Sequence, residues 1–290
     1  MKVTFVGVGA MGLPMARHIL RRFPVTVFDP DSARTAELAA QGATAAVSAA
    51  EAARGADVVV VMVATPAQLD RALFGDDGVH AGLPAGSTVI LMSSVGTDCA
   101  ADAGRRLEAL GAKVVDAPVT GGASRAETGE LTVLAGAAPD VLDGVRPVLN
   151  LVASRIALCG GRVGDGQAVK LVNQLLCSVH LAAAGEALQF ARALGLDPVQ
   201  VLAAIEPGAA SSFMLSDRGP RMLSTDTPPV RSAVDIFVKD SSLVLAAARK
   251  SGAVTPLAEQ AAALFARAGD QGLGRHDDSS VIRMFQKEPH

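Results

Sequence analysis

The sequence predicts an α/β fold in two parts. A doubly wound, mostly parallel sheet at the N-terminus is followed by a long interdomain helix and an all-α C-terminal domain. Short β-branched runs alternate with Ala-rich helical segments up to Gly160-Gly161, where the alternation stops. Near-continuous apolar strands alternating with helices are typical of a parallel sheet covered on both faces. We therefore expect one domain over residues 1–161 and a second over residues 162–290.

Seven strands are predicted in the first domain. They are the β-branched runs at 2–8, 25–29, 57–63, 87–93, 113–119, 131–136 and 154–160. Helical segments lie between most of these runs, for example at 11–22 and 139–150. Strands that alternate with helices in this way indicate parallel pairing through helical crossovers.

The second domain is predicted to be helical throughout. Residues 166–195 contain no Pro and few β-branched residues, which predicts one long helix ending near Gly195, with Pro198 beyond it. The Pro-, Thr- and Ser-rich stretch 224–232 is predicted to be a loop. Further helical patterns lie at 198–206, 233–250 and 256–272.

The composition excludes several classes of function. The chain has 290 residues, of which 50% are hydrophobic and 3% aromatic, with no Trp and no Tyr. The formal net charge is −3 without a basic stripe, so nucleic acid is not an expected partner. No run reaches the ~20 apolar residues of a membrane span. The apolar stretch at the N-terminus is short and Gly-interrupted, so we expect neither a signal peptide nor a membrane segment.

Three cysteines, Cys99, Cys159 and Cys177, are an odd number without metal-ligand spacing. Such a set is typical of reduced thiols in a cytoplasmic protein. We expect these thiols to be mostly buried, and we expect no metal site.

A Gly-rich turn after the first strand predicts a dinucleotide site. Gly7, Gly9 and Gly12 form the pattern G-x-G-x-x-G, with Ala10 and Met11 between the last two glycines. The first Gly permits the tight turn, the second lets the backbone approach a pyrophosphate, and the third lets helix and strand pack closely. The helix N-terminus then offers N–H groups to the phosphates. The alternative is a tight turn without a ligand, but the strand–turn–helix context favours a Rossmann nucleotide domain.

The end of the second strand indicates which dinucleotide is used. Asp29 lies about 20 residues after the Gly-rich turn, where a carboxylate can bind both adenine-ribose hydroxyls and repel a 2′-phosphate. We therefore expect NAD rather than NADP. Asp29 could instead only begin the turn that follows the strand, and Arg34 could contact a 2′-phosphate, so NADP stays an alternative.

Two later strand ends predict further contacts with the cofactor. One predicted strand stops at Ala64-Thr65-Pro66, and the next stops at Ser93-Ser94. Ligands of such sheets bind beyond the carboxyl ends of the strands, so these residues could line the nicotinamide path. Small polar residues in ordinary loops are the alternative.

Polar residues form a stripe on the otherwise apolar long helix. Lys170, Asn173, Cys177 and His180 fall at i, i+3, i+7 and i+10, which places them on one narrow face at about 100° per residue. The stripe faces either water or a polar cleft between the domains. Burying a lysine is costly. A desolvated lysine has a lowered pKa and can exchange protons near neutral pH.

Four blocks in order resemble the β-hydroxyacid dehydrogenases, the family of 3-hydroxyisobutyrate, tartronate semialdehyde and 6-phosphogluconate dehydrogenases. They are GVGAMGLPMA at 7–16, DAPVTGG…AETGEL at 116–131, GQAVKLVNQ at 166–174 and FVKDSSLVLAAA at 237–248. The resemblance implies a soluble NAD(P)-dependent oxidoreductase that acts on a small hydroxy acid. It also implies a homodimer or homotetramer assembled through the helical domain.

The resemblance also assigns roles to residues. It implies that the loop of Val119, Thr120, Gly121 and Gly122 binds the substrate carboxylate, with Thr120 standing where the family has Ser. Lys170 matches the catalytic lysine and Asn173 its partner, and both would contact the substrate. Cys177, which shares their face of the helix, is expected to contact the substrate with them. Ser94 and Lys239 match residues near both substrate and cofactor. Arg125 stands where some members have Lys, and Asp240 matches a structural position.

Within the family, the chain most resembles the branch that uses NAD to oxidise four-carbon sugar acids such as L-threonate. The stretches that carry this finer resemblance include GAASSFMLSDR and GLGRHDDSSVIRMF. The main alternative is a tartronate or succinic semialdehyde reductase that uses NADH or NADPH. Imine reductases share the fold but usually lack the lysine, and a non-catalytic dinucleotide-binding module is a further alternative.

Overall fold

The computed structural model describes residues 1–286 of the chain. The chain packs into two compact units, Met1–Lys170 and Leu171–His290. The division falls inside one long helix, α8 (Asp165–Ala193), which begins in the first unit. The division at 170/171 does not test the predicted domain boundary at 161/162, which stays a prediction.

The first unit is built on one sheet, which has nine strands within residues 1–286. Their order is β3-β2-β1-β4-β5-β6-β8-β7, with β9 paired to β8, and β1 to β6 are parallel. The mostly parallel, doubly wound sheet is thus confirmed. The strands are β1 Val3–Val6, β2 Val25–Phe28, β3 Thr44–Ala45, β4 Val58–Val61, β5 Thr88–Leu91, β6 Lys113–Asp116, β7 Val119–Thr120, β8 Leu131–Gly136 and β9 Ala153–Gly160.

Helices cover both faces of this sheet. Along β4, Val58 and Val60 pack into one apolar cluster, while Val59 and Val61 pack into another. Such alternation is what a strand buried on both faces requires. The helices of this unit before α8 are α1 Gly12–Leu20, α2 Ser32–Ala39, α3 Ala49–Ala53, α4 Pro66–Phe74, α5 Thr97–Ala109, α6 Gly122–Thr128 and α7 Pro139–Leu149.

One predicted strand, residues 113–119, is in fact two. β6 ends at Asp116, and β7 begins at Val119 and pairs with β8 in the antiparallel direction. Pro118, between them, has no backbone N–H to donate to a ladder, although its carbonyl accepts from the Leu134 amide at 2.9 Å. The short exposed strand β3 was not predicted, because two residues carry no alternation to recognise.

The second unit is helical, as predicted. Phe237 and Phe265 stack in its core with ring centroids 4.9 Å apart, beside Leu181 and Leu188 of α8. Residues 224–232, all of which the structure describes, form no helix or strand, as predicted. The helices after α8 are α9 Pro198–Ile205, α10 Phe213–Leu223, α11 Val234–Ser251 and α12 Pro256–Ala268, followed by a 3₁₀ helix at Asp278–Phe285.

Two predicted helix ends lie at glycines. α8 ends at Ala193, near Gly195 as predicted, and Gly195 has a φ of +76°. α12 ends at Ala268 and is followed by a π-helical stretch, Gly269–Leu273, so the predicted helix extends to this region except for Gly272, whose φ is +84°. Left-handed backbone of this kind favours Gly and ends a helix. The helix α10 and the 3₁₀ helix were not predicted.

One expectation from composition is wrong. Cys99, Cys159 and Cys177 are free thiols, but all three are partly exposed rather than buried. Burial nevertheless raises the pKa of the Cys99 and Cys159 thiols, with nearby carboxylates acting in the same direction. α8 meets the length and mean hydropathy of a membrane span, but polar and charged residues such as Lys170, Glu186 and Arg192 interrupt it, so it contains no unbroken run of ~20 apolar residues.

Candidate active site

The turn between β1 and α1 has the geometry of a nucleotide-binding loop. Gly7 has a φ of +92°, and a Cβ there would lie 2.2 Å from the Met62 carbonyl oxygen. A Cβ on Gly12 would lie 2.0 Å from the Gly7 carbonyl oxygen. Real Cβ contacts are never this short, so Gly is required at both positions by the strand and helix that meet there.

Gly9 lies in a different environment from the other two glycines. A Cβ on Gly9 would meet only Arg34 Nη1, at 3.6 Å, so the space above it is open. Ala10 beside it is exposed, and among the described residues no side chain caps the helix start at Met11. An open backbone at a helix N-terminus suits a phosphate group. The residues present therefore fit a dinucleotide pyrophosphate.

Asp29 follows β2 and organises the same loop. Its Oδ2 accepts the Val8 amide at 3.0 Å, and its Oδ1 accepts the Asp31 amide at 3.0 Å. Arg34 Nη1 lies 3.9 Å from Asp29 Oδ2, and the Arg34 side chain is half-exposed. Asp29 is therefore a turn residue as well as a candidate ribose ligand, and a cationic group stands next to it.

The loops after β4 and β5 carry the predicted nicotinamide-side residues. Thr65 caps α4 through a hydrogen bond from the Gln68 amide to Oγ1, at 3.1 Å. Gln68 Oε1 in turn accepts the Ala64 amide at 2.9 Å, and Pro66 is the first residue of the helix. The Thr65 hydroxyl thus has a structural role as a helix cap. Ser94, after β5, is partly exposed.

The predicted substrate loop connects β7 to α6. Val119 and Thr120 pair with β8, and the chain then turns through Gly121, with a φ of +129°, and Gly122, with a φ of +72°. A Cβ on Gly121 would lie 2.9 Å from Arg125 Cδ. Backbone of this shape leaves successive N–H groups of a turn available to an anion such as a carboxylate.

A buried carboxylate holds the start of α8 against the sheet. Asp116, the last residue of β6, is fully buried and accepts the amides of Gly164 at 3.0 Å and Gln167 at 2.9 Å through Oδ2. Gln167 Nε2 donates to Asp116 Oδ1 at 2.8 Å. Burial raises the pKa of the Asp116 carboxyl, and hydrogen bonds from Gln167, Gly164 and Gly166 oppose that rise.

Gln167 extends this network to the end of β5. Its Oε1 accepts the amides of Val95 at 3.0 Å and Gly96 at 3.1 Å, and its Nε2 donates to the Ser93 carbonyl at 3.0 Å. All hydrogen-bonding atoms of the Gln167 amide group are therefore engaged. The helix start is fixed to two strand ends at once.

Lys170 lies on α8 three residues after Gln167, on the same side of the helix. Its residue exposure is 8%, so the interpretation of the polar stripe as a solvated face is wrong for this residue. Because Gln167 is held by strand ends, the backbone that carries Lys170 is held with it.

Two of the remaining stripe residues, Asn173 and Cys177, belong to a polar network in the second unit, while His180 is partly exposed. Asn173 Nδ2 donates to Gln174 Oε1 at 2.9 Å and lies 3.4 Å from Cys177 Sγ. Gln174 Nε2 donates to the buried carboxylate of Asp240, and Lys239 Nζ lies 2.8 Å from Asp240 Oδ1. The structure thus brings Asn173, Cys177 and Lys239 into one network, in which Asp240 links α8 to α11.

Sequence reasoning assigned no role to the two residues that hold the start of α8 in the first unit. Asp116 begins the quoted DAPV block, and Gln167 lies within GQAVK, but neither was considered a functional residue. The available signal was an acidic residue at the end of a buried strand, which must find donors. Its donors Gly164 and Gln167 lie 48 and 51 positions further along the chain, so the pairing is invisible without the fold.

Comparisons with known proteins agree over nearly the whole chain. Residues 2–161 match the NAD binding domain of 6-phosphogluconate dehydrogenase, and residues 164–285 match the NAD-binding domain of NADP-dependent 3-hydroxyisobutyrate dehydrogenase. The L-threonate dehydrogenase of Cupriavidus necator is 38% identical over 97% of this chain and 94% of its own. The 2-hydroxy-3-oxopropionate reductase of Escherichia coli is 32% identical over 99% of this chain and 97% of its own.

A solved structure agrees with these matches. The 3-hydroxyisobutyrate dehydrogenase of Salmonella typhimurium superposes with a TM-score of 0.92 and 38% identity, covering 98% of this chain and 100% of its own. The fold, the Gly-rich turn and the full-length matches lead to one conclusion. The chain is an NAD(P)-binding oxidoreductase and belongs to the 3-hydroxyisobutyrate dehydrogenase family of hydroxyacid dehydrogenases.

Proposed function

We propose that the protein oxidises a small hydroxy acid of the L-threonate type with NAD, and that Lys170 is the general acid and base. The observation that carries the proposal is the buried position of Lys170, one helical turn after Gln167, which binds the ends of β5 and β6. The identity to L-threonate dehydrogenases supports the substrate class.

Each group of residues has its own part in the proposed reaction. The turn of Gly7, Gly9 and Gly12 binds the pyrophosphate, and the bound nicotinamide supplies the hydride acceptor. The Thr120 hydroxyl and the amides of the Gly121-Gly122 turn hold the substrate carboxylate. Held in this way, the substrate presents its reacting carbon in one orientation, which is a major source of rate enhancement.

Lys170 handles the proton. In the oxidation, its neutral amine takes the hydroxyl proton while the hydride leaves the same carbon, so that the C–O bond becomes a carbonyl. In the reverse direction, its ammonium form polarises the carbonyl and returns the proton to the oxygen. Asn173, one turn further along the same helix, orients the reacting oxygen. Ser94 and Lys239, which match family positions, and Cys177, which lies on the polar stripe, are proposed as further ligand contacts.

NAD is proposed over NADP because of Asp29. Its carboxylate stands at the end of β2, held by the amides of Val8 and Asp31. A fixed negative charge at this point disfavours a 2′-phosphate. Arg34, 3.9 Å from that carboxylate, partly offsets the effect.

The test is the near-ultraviolet absorbance of NADH formed by the purified protein. L-threonate would be compared with 3-hydroxyisobutyrate, glycerate and serine, each with NAD and with NADP. We expect turnover with L-threonate and NAD. Turnover with another acid alone would replace the substrate and keep the chemistry. Absence of turnover with every acid and both cofactors, in a protein that binds NADH, would refute the proposed reaction.

A semialdehyde reductase is the alternative, supported by the full-length similarity to 2-hydroxy-3-oxopropionate reductase and by Arg34 beside Asp29. Oxidation of NADH or NADPH by tartronate or succinic semialdehyde, faster than any oxidation of L-threonate, would favour this alternative.

We also propose a homodimer or homotetramer in the cytoplasm. Exposed apolar side chains of α8, among them Val172, Leu176 and Phe190, would be covered by a second copy. The same side chains give α8 its span-like composition. Light scattering of protein purified without detergent should give at least twice the mass of one chain. A monomer, or a protein recovered only in detergent, would contradict this assembly.

A further inference from the structure

A buried histidine joins the helix of the nucleotide loop to the helix of the substrate loop. His18 lies on α1 and is 8% exposed. Its Nε2 lies 2.9 Å from the backbone carbonyl oxygen of Glu127, on α6. A carbonyl can only accept, so Nε2 carries the proton and donates.

The acceptor is a group that α6 itself leaves open. α6 runs from Gly122 to Thr128, so Glu127 is in its last turn, where carbonyls have no partner within the helix. Gly129 follows with a φ of +73°, and a Cβ there would lie 3.3 Å from His18 Cε1. The imidazole therefore packs closely against the C-terminal end of α6 and donates a hydrogen bond to the Glu127 carbonyl.

The two helices begin at the two candidate binding loops of the first unit, the nucleotide loop and the substrate loop. α1 begins at Gly12, the last residue of the nucleotide loop, and α6 begins at Gly122, the last residue of the substrate loop. A short helix moves as a rigid body, so a bond near its end limits where its start can be. His18 is placed to limit the position of the Gly121-Gly122 turn relative to α1.

Arg17, the neighbouring residue on α1, makes a weaker connection between the same elements. Its Nη2 lies 2.6 Å from Glu37 Oε1 on α2, and its Nη1 lies 3.4 Å from Glu127 Oε2. Both ion pairs are largely exposed, and exposed ion pairs contribute little. The buried hydrogen bond of His18 is the stronger constraint.

We propose that His18 is a positioning residue that holds the substrate loop in register with the nucleotide loop. The inference rests on the proposed function, since the loop at 119–122 must bind the hydroxy acid for its position to affect turnover. His18 touches neither reactant and acts only through α6.

The test uses two variants of His18 that differ in one donor. His18→Met introduces an apolar side chain of similar length that cannot donate to the Glu127 carbonyl. His18→Gln instead places an N–H₂ group at a similar distance from the backbone, so it can donate to that carbonyl. We expect His18→Met to raise KM for the hydroxy acid about tenfold, the scale of one buried hydrogen bond. We expect Kd for NADH to change less than about twofold, and His18→Gln to restore most of the KM.

Amide hydrogen exchange supplies a readout that does not need turnover. Without substrate, the amides of residues 121–131 should exchange faster in His18→Met than in the wild type or in His18→Gln. Glu127→Gln is the matched control, because it removes the ion pair to Arg17 but keeps the carbonyl. It should change neither exchange nor KM. If His18→Met does not fold, His18→Leu, a second apolar side chain without a donor, should give the same rise in KM and in exchange.

Unchanged KM and exchange in His18→Met would overturn the inference. Equal losses of NADH and hydroxy-acid binding would also overturn it, since they indicate a general structural role. If the wild type oxidises no hydroxy acid, the proposed function fails, while hydrogen exchange still decides whether His18 holds the loop.

Discussion

The side chains of Asp116 and Gln167 meet at 2.8 Å, where the amide Nε2 donates to the carboxylate Oδ1. Both are buried, and the partners of each are fixed backbone groups of strand ends or of the start of α8. The donor and acceptor atoms are therefore assigned: Asp116 can only accept here, and Gln167 must donate with one atom and accept with the other. A buried network whose donors and acceptors are all paired specifies one arrangement of its side chains. A network with unpaired members reduces the stability of the folded state.

Exchanging donor and acceptor in this pair gives the first prediction. Asp116→Asn places two N–H₂ groups face to face, and Gln167→Glu places two carboxylates face to face. Each should cost about 1–3 kcal/mol in the free energy of unfolding. In the double variant, the new amide at position 116 can donate to the new carboxylate at position 167. The double variant should therefore be more stable than the sum of the single changes predicts. Only the contact with the Ser93 carbonyl, at 3.0 Å in the wild type, stays unfavourable.

The measurement is urea unfolding of all four proteins at pH 7. A double variant whose loss equals the sum of the two single losses would show that the two side chains do not interact energetically.

The second prediction concerns Lys170. Lys170→Met retains the aliphatic length and removes the ammonium, so it suits a residue that is 8% exposed. We expect the fold and NADH binding to persist while kcat falls by a factor of about 10²–10⁴, the usual contribution of a general acid or base. Lys113→Met, an exposed change at the start of β6, is the control and should leave kcat unaltered. Near-full turnover in Lys170→Met would remove Lys170 from the mechanism.

The strands of the sheet and the Gly-rich turn could be predicted because their signals are local. Gly7 and Gly12 are required by contacts within the turn itself or with the neighbouring strand, and the β-branched runs mark the strands. The hydrogen bonds between Asp116 and Gln167 and between His18 and Glu127 could not be predicted, because each joins residues far apart in the chain. Pattern analysis placed Lys170 and Asn173 on one helix face, but a period alone cannot distinguish a buried polar face from a solvated one.

The third prediction concerns cofactor preference. Asp29→Ser removes the negative charge but keeps a group that can accept the Val8 or Asp31 amide. We expect kcat/KM with NAD to fall about tenfold or more. The ratio of kcat/KM with NADP to kcat/KM with NAD should therefore rise. Arg34→Ala should act oppositely and reduce turnover with NADP more than with NAD. The measurement is the ratio of kcat/KM for the two cofactors in each variant. An unchanged ratio in Asp29→Ser would leave that residue with its turn role only.

The fourth prediction compares two exposed or partly exposed glycines that have open space around them. Gly122 has a φ of +72°, whereas Gly144 lies in α7 with ordinary helical backbone, and neither would bring a Cβ within 4 Å of another atom. Gly144→Ala should stabilise the protein by about 0.5–1 kcal/mol because Ala favours the helix. Gly122→Ala should destabilise it by about 1 kcal/mol and raise KM for the hydroxy acid, because its left-handed backbone forms the substrate turn.

Thermal unfolding and steady-state kinetics measure both effects. If Gly122→Ala raised stability as Gly144→Ala does, the turn would relax freely, and its backbone shape would not be needed for the substrate loop.

A charged cluster in the second unit makes stability depend on pH. Arg218 Nη2 lies 3.0 Å from Asp278 Oδ2, and both residues are buried. Next to them, Asp277 Oδ1 accepts the Ser279 hydroxyl at 2.6 Å, and Oδ2 accepts the Arg231 amide at 2.9 Å. Burial alone raises the pKa of Asp277, but the hydrogen bonds from Ser279 and Arg231 and the charge of Arg221 outweigh it. The pKa is therefore lowered from its usual 3.8.

The fifth prediction follows from that direction. A carboxyl whose pKa is lowered on folding stabilises the native state above its unfolded pKa of 3.8, and this contribution is lost as pH falls through the folded pKa. Ser279→Ala removes one hydrogen bond to the ionised form, so it should cost about 1–3 kcal/mol at pH 7. The cost should shrink as pH falls through the lowered folded pKa of Asp277, because the wild type then loses the same interaction by protonation.

Urea unfolding of the wild type and variant from pH 7 to pH 3 measures the difference directly. Ser280→Ala is the control, since Ser280 contacts Asp277 only through a backbone bond of 2.8 Å among the interactions described, and its effect should not vary with pH. A Ser279→Ala cost that stayed constant over this range would mean that the hydroxyl does not stabilise the ionised form of Asp277.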